Sequence, residues 1–192
     1  MNRQPFRSGD VVDGIDWDRW SVILLKPDCV ERGLVDKVLD RFAAVPDITV
    51  FARMDVVVEP WQVHVHYWDL LVDRDWYSGR DMPTCLDEMY VGKTVTVALA
   101  SGPEGTPRTL RKLLGFFDPS QAGAGSIRGD LGVDSLDAAL AEHRLVENLV
   151  HTSDNAEATR RDFGVWFGAA RRNLLTASGP ISGKTAGSAV RP

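Results

Sequence analysis

Cysteine is scarce. The 192-residue chain has two, Cys29 and Cys85, too few for a disulfide framework and more in keeping with a reducing compartment. Long apolar runs are missing, and none approaches the roughly 20 residues that cross a bilayer. Residues 1–18 are polar and acidic, without the apolar centre of a signal peptide. Positive charge is not in excess: 22 Lys and Arg stand against 27 Asp and Glu, a net −5. Such a chain is a poor general binder of nucleic acid or of an anionic membrane surface, although a local basic cluster still holds phosphate. Repeats and low-complexity linkers are absent from the middle of the chain. We therefore expect a cytoplasmic protein with no membrane and no nucleic acid partner.

What is present suits one domain. Hydrophobic residues make up 44% and charged residues 26%, the balance of an ordinary globular protein large enough to bury its own core. Residues 1–18 read as an N-terminal arm, 19–170 as the domain, and 171–192, rich in Gly and Ser from Ala177 onward, as a flexible tail.

Ser21–Leu25 is an unbroken apolar run and predicts a strand buried on both faces. Leu34, Val35, Val38, Leu39 and Phe42 fall at helical spacing. Ile48–Val58 predicts a second strand, and Pro60 opens a helix with Val63, Tyr67, Leu70 and Leu71 on its apolar stripe. Cys85–Met89 predicts a short helix and Thr94–Ala100 a third strand. Thr106–Leu114 predicts a helix stopped by Gly115. Pro119–Gly125 reads as a loop and Leu136–Leu140 as a short helix. Leu145–Val150 predicts a fourth strand, and Ser153 or Asp154 caps a last helix toward Trp166. Alternating strands and helices give one sheet with helices packed on it.

Two phosphate-loop look-alikes fail. Gly92-Lys93-Thr94 has Asp87 where the loop's first glycine belongs, and a strand follows it; Gly183-Lys184-Thr185 has Ser178 there. His64 and His66 stand two apart, which turns them to different helix faces, so we expect surface or half-buried histidines and no metal site.

The stretch Glu147–Asp154 carries chemistry. An apolar strand ends at His151 and a capped helix follows. Histidine serves as acid, base or nucleophile near neutral pH. Arg128 follows a Gly-rich loop, Arg111 lies on a helix ahead of it, and Lys26 stands at the mouth of a buried strand. Such cations, with a helix N-terminus, can hold a polyphosphate.

Taken in order, several motifs resemble the nucleoside diphosphate kinase family. They are Lys26-Pro27-Asp28, Arg32-Gly33-Leu34-Val35, His66-Tyr67, Arg111, Gly125–Asp130, Asn148–His151 with Ser153-Asp154, and Gly164-Val165-Trp166-Phe167. The resemblance spans roughly Ser21 to Phe167, and Asn-x-x-His-x-Ser-Asp is its centre. It implies an α+β, ferredoxin-like βαββαβ fold: an antiparallel sheet with helices packed on it. It implies a ping-pong transfer in which His151 takes the γ-phosphate of ATP or another nucleoside triphosphate on Nδ1 and passes it to a nucleoside diphosphate. Lys26 would contact the transferring phosphate and ribose, and Tyr67 the region of the γ-phosphate or His151. Arg111 and Arg128 would grip phosphates, and Asn148 the ribose 3′-hydroxyl. Ser153 would orient the partners of His151, and Trp76 would stack on the base. Mg²⁺ would arrive with the nucleotide phosphates. A tetramer or hexamer of identical subunits is the implied assembly.

The chain departs from the family pattern at several positions. Phe117 stands in the nucleotide site where a phosphate-binding threonine is usual. Cys29 and Thr152 replace small residues, Asp162 replaces a glutamate that orients the histidine, and residues 131–147 form an insertion. These departures suit two alternatives: a nucleotide-binding or regulatory homologue with weak or no turnover, or a phosphohistidine kinase for a specialised acceptor.

Overall fold

The computed structural model of the chain describes residues 11–72 and 81–176; Trp76 and the segment 177–192 lie outside the described residues. Val11–Val12 (β1) and Ile15–Asp16 (β2) pair as a small hairpin, with Asp13 and Gly14 at positive φ in its turn, as tight hairpins require. Trp17–Arg19 follows as a 3-10 turn. This part of the predicted arm is fixed to the domain. Trp17 is buried with its ring 5.7 Å from that of Phe163. The buried Asp18 carboxylate accepts hydrogen bonds from Gly105 N at 2.7 Å and Arg108 Nη2 at 2.9 Å.

Trp20–Leu25 (β3) is buried at every position, as its unbroken apolar run implies. Pro27–Glu31 (α1) and Val35–Ala43 (α2) lead to Thr49–Val57 (β4). Pro60–His66 (α3), Trp68–Val72 (α4) and Met82–Tyr90 (α5) precede Thr94–Ser101 (β5). Thr106–Leu114 (α6), Ile127–Leu131 (α7) and Leu136–Ala141 (α8) come before Val150–Thr152 (β6) and Ala156–Trp166 (α9). Ala169–Thr176 continues as 3-10 structure. The main sheet runs β4-β5-β3-β6 with every pair antiparallel, the ferredoxin-like order. No helix among the described residues is long and apolar enough to cross a membrane.

The period-two alternation of β3 separates two cores. Val22 and Leu24 face one, with Val63, Leu86 and Phe163; Ile23 and Leu25 face the other, with Phe42, Leu110 and Ile127. Each such fully buried aliphatic side chain contributes about 1.5–3 kcal/mol. Register then sets the site. Leu24 pairs with His151 across the β3–β6 ladder, so the histidine shares the face of α3 and α9.

Three sequence expectations are corrected. The fourth strand is Val150–Thr152 rather than Leu145–Val150: Leu149 has φ 68°, outside the extended region. The last helix is capped by Asn155, whose side chain accepts from Ala158 N, because the Ser153 hydroxyl is already bonded to Asp162. The helix from Pro60 breaks at Tyr67, whose backbone leaves the helical region at φ −97°, ψ 26°. Gly115, by contrast, stops α6 as expected. It sits at φ 80°, and a Cβ there would meet Ser126 Oγ at 2.3 Å, so only glycine fits.

Trp17→Ala is expected to cost about 3–5 kcal/mol, the usual loss for a large aromatic cut from a core. Urea unfolding checks it; an unchanged midpoint would show that this residue belongs to a free arm.

Candidate active site

Around His151 lies a cavity of about 580 Å³. One group of its lining residues is cationic or polar: Lys26, Arg111, Arg128, Asn148 and Tyr67. Another is apolar: Leu86, Met89, Leu136, Leu140, Leu145 and Val146.

The fold places each cation from a different element. Lys26 ends β3 and is the N-cap residue of α1, with Pro27 at the first helical position. It is only 8% exposed, and its ammonium lies 5.9 Å from the Tyr90 ring centroid. Burial, with Arg128 and Arg111 adding to it against Asp28, lowers its pKa to about 8. Arg128, on α7, is buried. Its Nε donates to Asn148 O at 3.2 Å, Nη1 to Gly115 O at 3.3 Å and Nη2 to Val150 O at 2.8 Å. It therefore braces the segment that carries His151 as well as facing the cavity. Burial and neighbouring Arg111 lower its pKa to about 10. Arg111, near the end of α6, is half open and pairs with Asp154 at 2.9 Å.

Asn148 is anchored by Nδ2, which donates to the Phe117 carbonyl at 2.8 Å, while its buried Oδ1 has no protein partner. The Phe117 side chain is 39% exposed at the cavity wall. The Tyr67 and Tyr90 hydroxyls share a hydrogen bond of 2.6 Å.

His151 is half-buried. Burial first, then His66, Arg111, Lys26 and Arg128, hold its pKa well below the ordinary value of 6.5. At neutral pH the ring is uncharged and keeps a lone pair for attack.

Behind it stands a group the sequence reading missed. His66 was expected at the surface or half-buried; it is 2% exposed, and its ring is T-shaped to His151 at 4.7 Å between centroids. His64 does stay half-exposed, paired with Asp87 at 2.9 Å. His66 Nδ1 lies 2.9 Å from Asp162 Oδ1, and Ser153 Oγ donates to Asp162 Oδ2 at 2.8 Å. Burial pushes the Asp162 carboxyl up, yet His66, Ser153 and Arg161 outweigh it and leave it below its ordinary value. Trp166 Nε1 also points at His66 Nδ1, at 3.2 Å. One nitrogen cannot donate to the carboxylate and accept from the indole at once. The ionised carboxylate is the stronger partner, which assigns the proton to Nδ1.

His66, His151 and Asp162 offer ligand atoms within 4.8 Å of one another. The triad is poor for a divalent cation. Its carboxylate is already engaged, and Lys26, Arg111 and Arg128 share the surroundings of His151.

Of the residues expected in the site, the cavity lining brings together Lys26, Tyr67, Arg111, Phe117, Arg128, Asn148 and His151. Ser153 is fully buried and not part of that lining. Cys29 is buried in the second core, where burial pushes its thiol up to about 12.

Three cations and an uncharged imidazole lining one cavity, on a ferredoxin-like sheet, suit a phosphoryl-handling α+β protein. Comparison with known proteins gives the family. The nucleoside diphosphate kinase family model matches residues 20–171, and the chain belongs to that family of phosphotransferases. Among its relatives is the nucleoside diphosphate kinase of Pyrobaculum aerophilum, 30% identical over 173 residues, covering 77% of this chain and 93% of the relative. That of a Nocardioides species is 32% identical over 147 residues, covering 77% and 95%. Among solved structures, a transition-state mimic of the Borrelia burgdorferi nucleoside-diphosphate kinase with bound vanadate and ADP superposes with a TM-score of 0.70. It is 27% identical and covers 79% of this chain and 88% of that chain. The Pyrobaculum aerophilum enzyme superposes with a TM-score of 0.67 at 29% identity, covering 79% and 97%.

Lys26→Met is expected to stabilise the fold by about 1–3 kcal/mol at pH 7. An unfolded lysine holds its proton up to 10.5, and the folded one only up to about 8. The proton therefore costs stability at pH 7, and the penalty fades as pH rises from about 8 toward 10.5. Urea titrations of both proteins across this range check the sign.

Proposed function

We propose that this chain is a nucleoside diphosphate kinase that transfers the γ-phosphate of a nucleoside triphosphate to a nucleoside diphosphate through phospho-His151. The observation that carries the reading is the uncharged, half-buried His151 ring in a cavity that Lys26, Arg111 and Arg128 also line.

In the first half-reaction the Nδ1 lone pair of His151 attacks the γ-phosphorus. The bond from that phosphorus to the bridging oxygen breaks, and its electron pair leaves with the nucleoside diphosphate. In the second half the acceptor's terminal phosphate oxygen attacks the phosphohistidine, the N–P bond breaks and the lone pair returns to the ring. Phosphoryl transfer asks the protein mainly for positioning and charge stabilisation. Arg111 and Lys26 meet the transferring group, and Arg128 adds its remaining N–H groups while holding Asn148 and Val150 in place. Tyr67 lies at the same wall. The open Oδ1 of Asn148 is a ready acceptor for the ribose 3′-hydroxyl. Asp162 and Ser153 act through His66, fixing the ring against which His151 packs.

Mg²⁺ is part of the substrate, as the nucleotide complex, and neutralises charge on the phosphates. The carboxylates at the cavity suit that arrangement: Asp154 is paired with Arg111 and Asp69 with Arg161, so neither builds a cage. The relative with bound vanadate and ADP supports the reading by likeness. The proposal includes a cytoplasmic homo-oligomer, tetramer or hexamer, as the resemblance implies. It also includes Trp76 as an aromatic partner for the base.

A phosphohistidine kinase for a narrower acceptor is the second reading, favoured by the displaced Asp162 contact and the inserted α8. One assay separates them. The protein is mixed with γ-labelled ATP, quenched, and tested for acid-labile, base-stable label, which is then challenged with a panel of diphosphates. Discharge to many diphosphates is expected; discharge to one alone selects the second reading. His151→Ala is expected to abolish labelling and leave ADP binding within a few-fold, and labelling that persists would assign the chemistry elsewhere. The acid limb of labelling in the parent protein is expected below pH 6.5, because the lowered pKa keeps the ring uncharged there.

A further inference from the structure

The insertion is built into the cavity rather than set apart from it. Leu136 and Leu140 project from α8 into the lining, a helical turn apart, beside Leu145 and Val146. The helix has fixed ends. Ser135 Oγ accepts from Ala138 N at its start. Arg144 Nη2 donates to Asp134 Oδ1 at 2.9 Å, and Glu147 N donates to Asp134 Oδ2 at 2.8 Å. Asp134 thus ties both ends of the insertion together, and Ala139, 1% exposed, packs the helix inward.

We infer that α8 forms a preassembled apolar wall for the nucleobase of the bound nucleotide, with Leu136 and Leu140 as its contact residues. The inference rests on the proposed function and deepens it. Charge decides the orientation. The phosphates go to the cations around His151, and the flat uncharged end of a nucleotide is what the leucines of the lining can accept. Leucine side chains offer no hydrogen-bond donor or acceptor to a base edge. The wall therefore adds affinity for a nucleobase without choosing among bases, since discrimination requires polar groups that a wrong base leaves unpaired.

The test uses the full chain and two probes, ADP and inorganic tripolyphosphate, followed by calorimetric titration. The double substitution Leu136→Ser with Leu140→Ser is expected to weaken ADP about tenfold and to leave tripolyphosphate within twofold. GDP and CDP are expected to weaken by a similar factor. Leu136→Met with Leu140→Met, which keeps the apolar surface, is expected to bind ADP like the parent. Equal melting temperatures of the variants separate loss of the wall from loss of the fold. If the serine variant misfolds, Asp134→Asn, which loosens the tie without touching the cavity lining, is expected to reproduce the selective loss for ADP. Unchanged ADP affinity in a folded serine variant, or equal loss for ADP and tripolyphosphate, overturns the inference while the functional reading stands. A parent chain that binds tripolyphosphate but no nucleoside diphosphate overturns both.

Discussion

Crowded positive charge around a half-buried ring is the constraint on which the rest of this structure depends. Lys26 is pulled down to about 8 and Arg128 to about 10, and His151 is held in its uncharged form. All three shifts begin with burial and grow because cations face one another. Carboxylates are close at hand, yet Asp28 spends a side-chain oxygen on Leu149 N and Asp154 lies out on Arg111. The cluster is therefore short of negative charge until a polyphosphate supplies it. Such a cluster of buried cations is costly to keep folded, a common cost of stored electrostatic preorganisation.

The scaffold meets that cost through contacts distant in sequence. Lys26 N donates to Leu149 O at 2.8 Å, and Arg128 reaches Asn148 and Val150 from α7. These bonds hold an irregular stretch, with Leu149 at positive φ, directly before His151. Such a conformation lasts only when its surroundings over-determine it. Here the same guanidinium that faces the cavity fixes the backbone that delivers His151. Binding and positioning are consequently coupled at Arg128.

Much of this was legible from local pattern. The buried run of β3, the amphipathic spacing of α2 and the Gly115 stop each follow from rules acting over a few residues, and the structure agrees with them. What escaped depends on long-range partners. Leu145 and Val146 look like strand residues because they are apolar, but they meet cavity and core instead of a ladder. Ser153 looks like a helix cap until Asp162, nine positions on, takes its hydroxyl. His66 carries no local sign of burial; its partner is 96 residues away. His151, Asn148 and the three cations that the motif order singles out all line one cavity, each held by one turn or strand end. The network behind His151 was legible only in part: Ser153 and Asp162 stand out in the motif order, but their link to His66 joins helices far apart in sequence.

That network also bears on Asp162. A carboxylate one methylene shorter than glutamate reaches less far from α9, and here its oxygens go to His66 and Ser153. The other ring nitrogen of His66, Nε2, is buried and without a protein partner. A buried acceptor left open normally costs about 1–3 kcal/mol. The neighbouring imidazole offers a way to recover it. Under the proposed transfer, phosphate on one nitrogen of His151 leaves the ring proton on the other, and His66 packs against that ring. The shorter acid thus substitutes a histidine for direct contact. Support of His151 passes through an imidazole that Asp162 orients, with Ser153 on the carboxylate's other oxygen and the Trp166 ring packed against it.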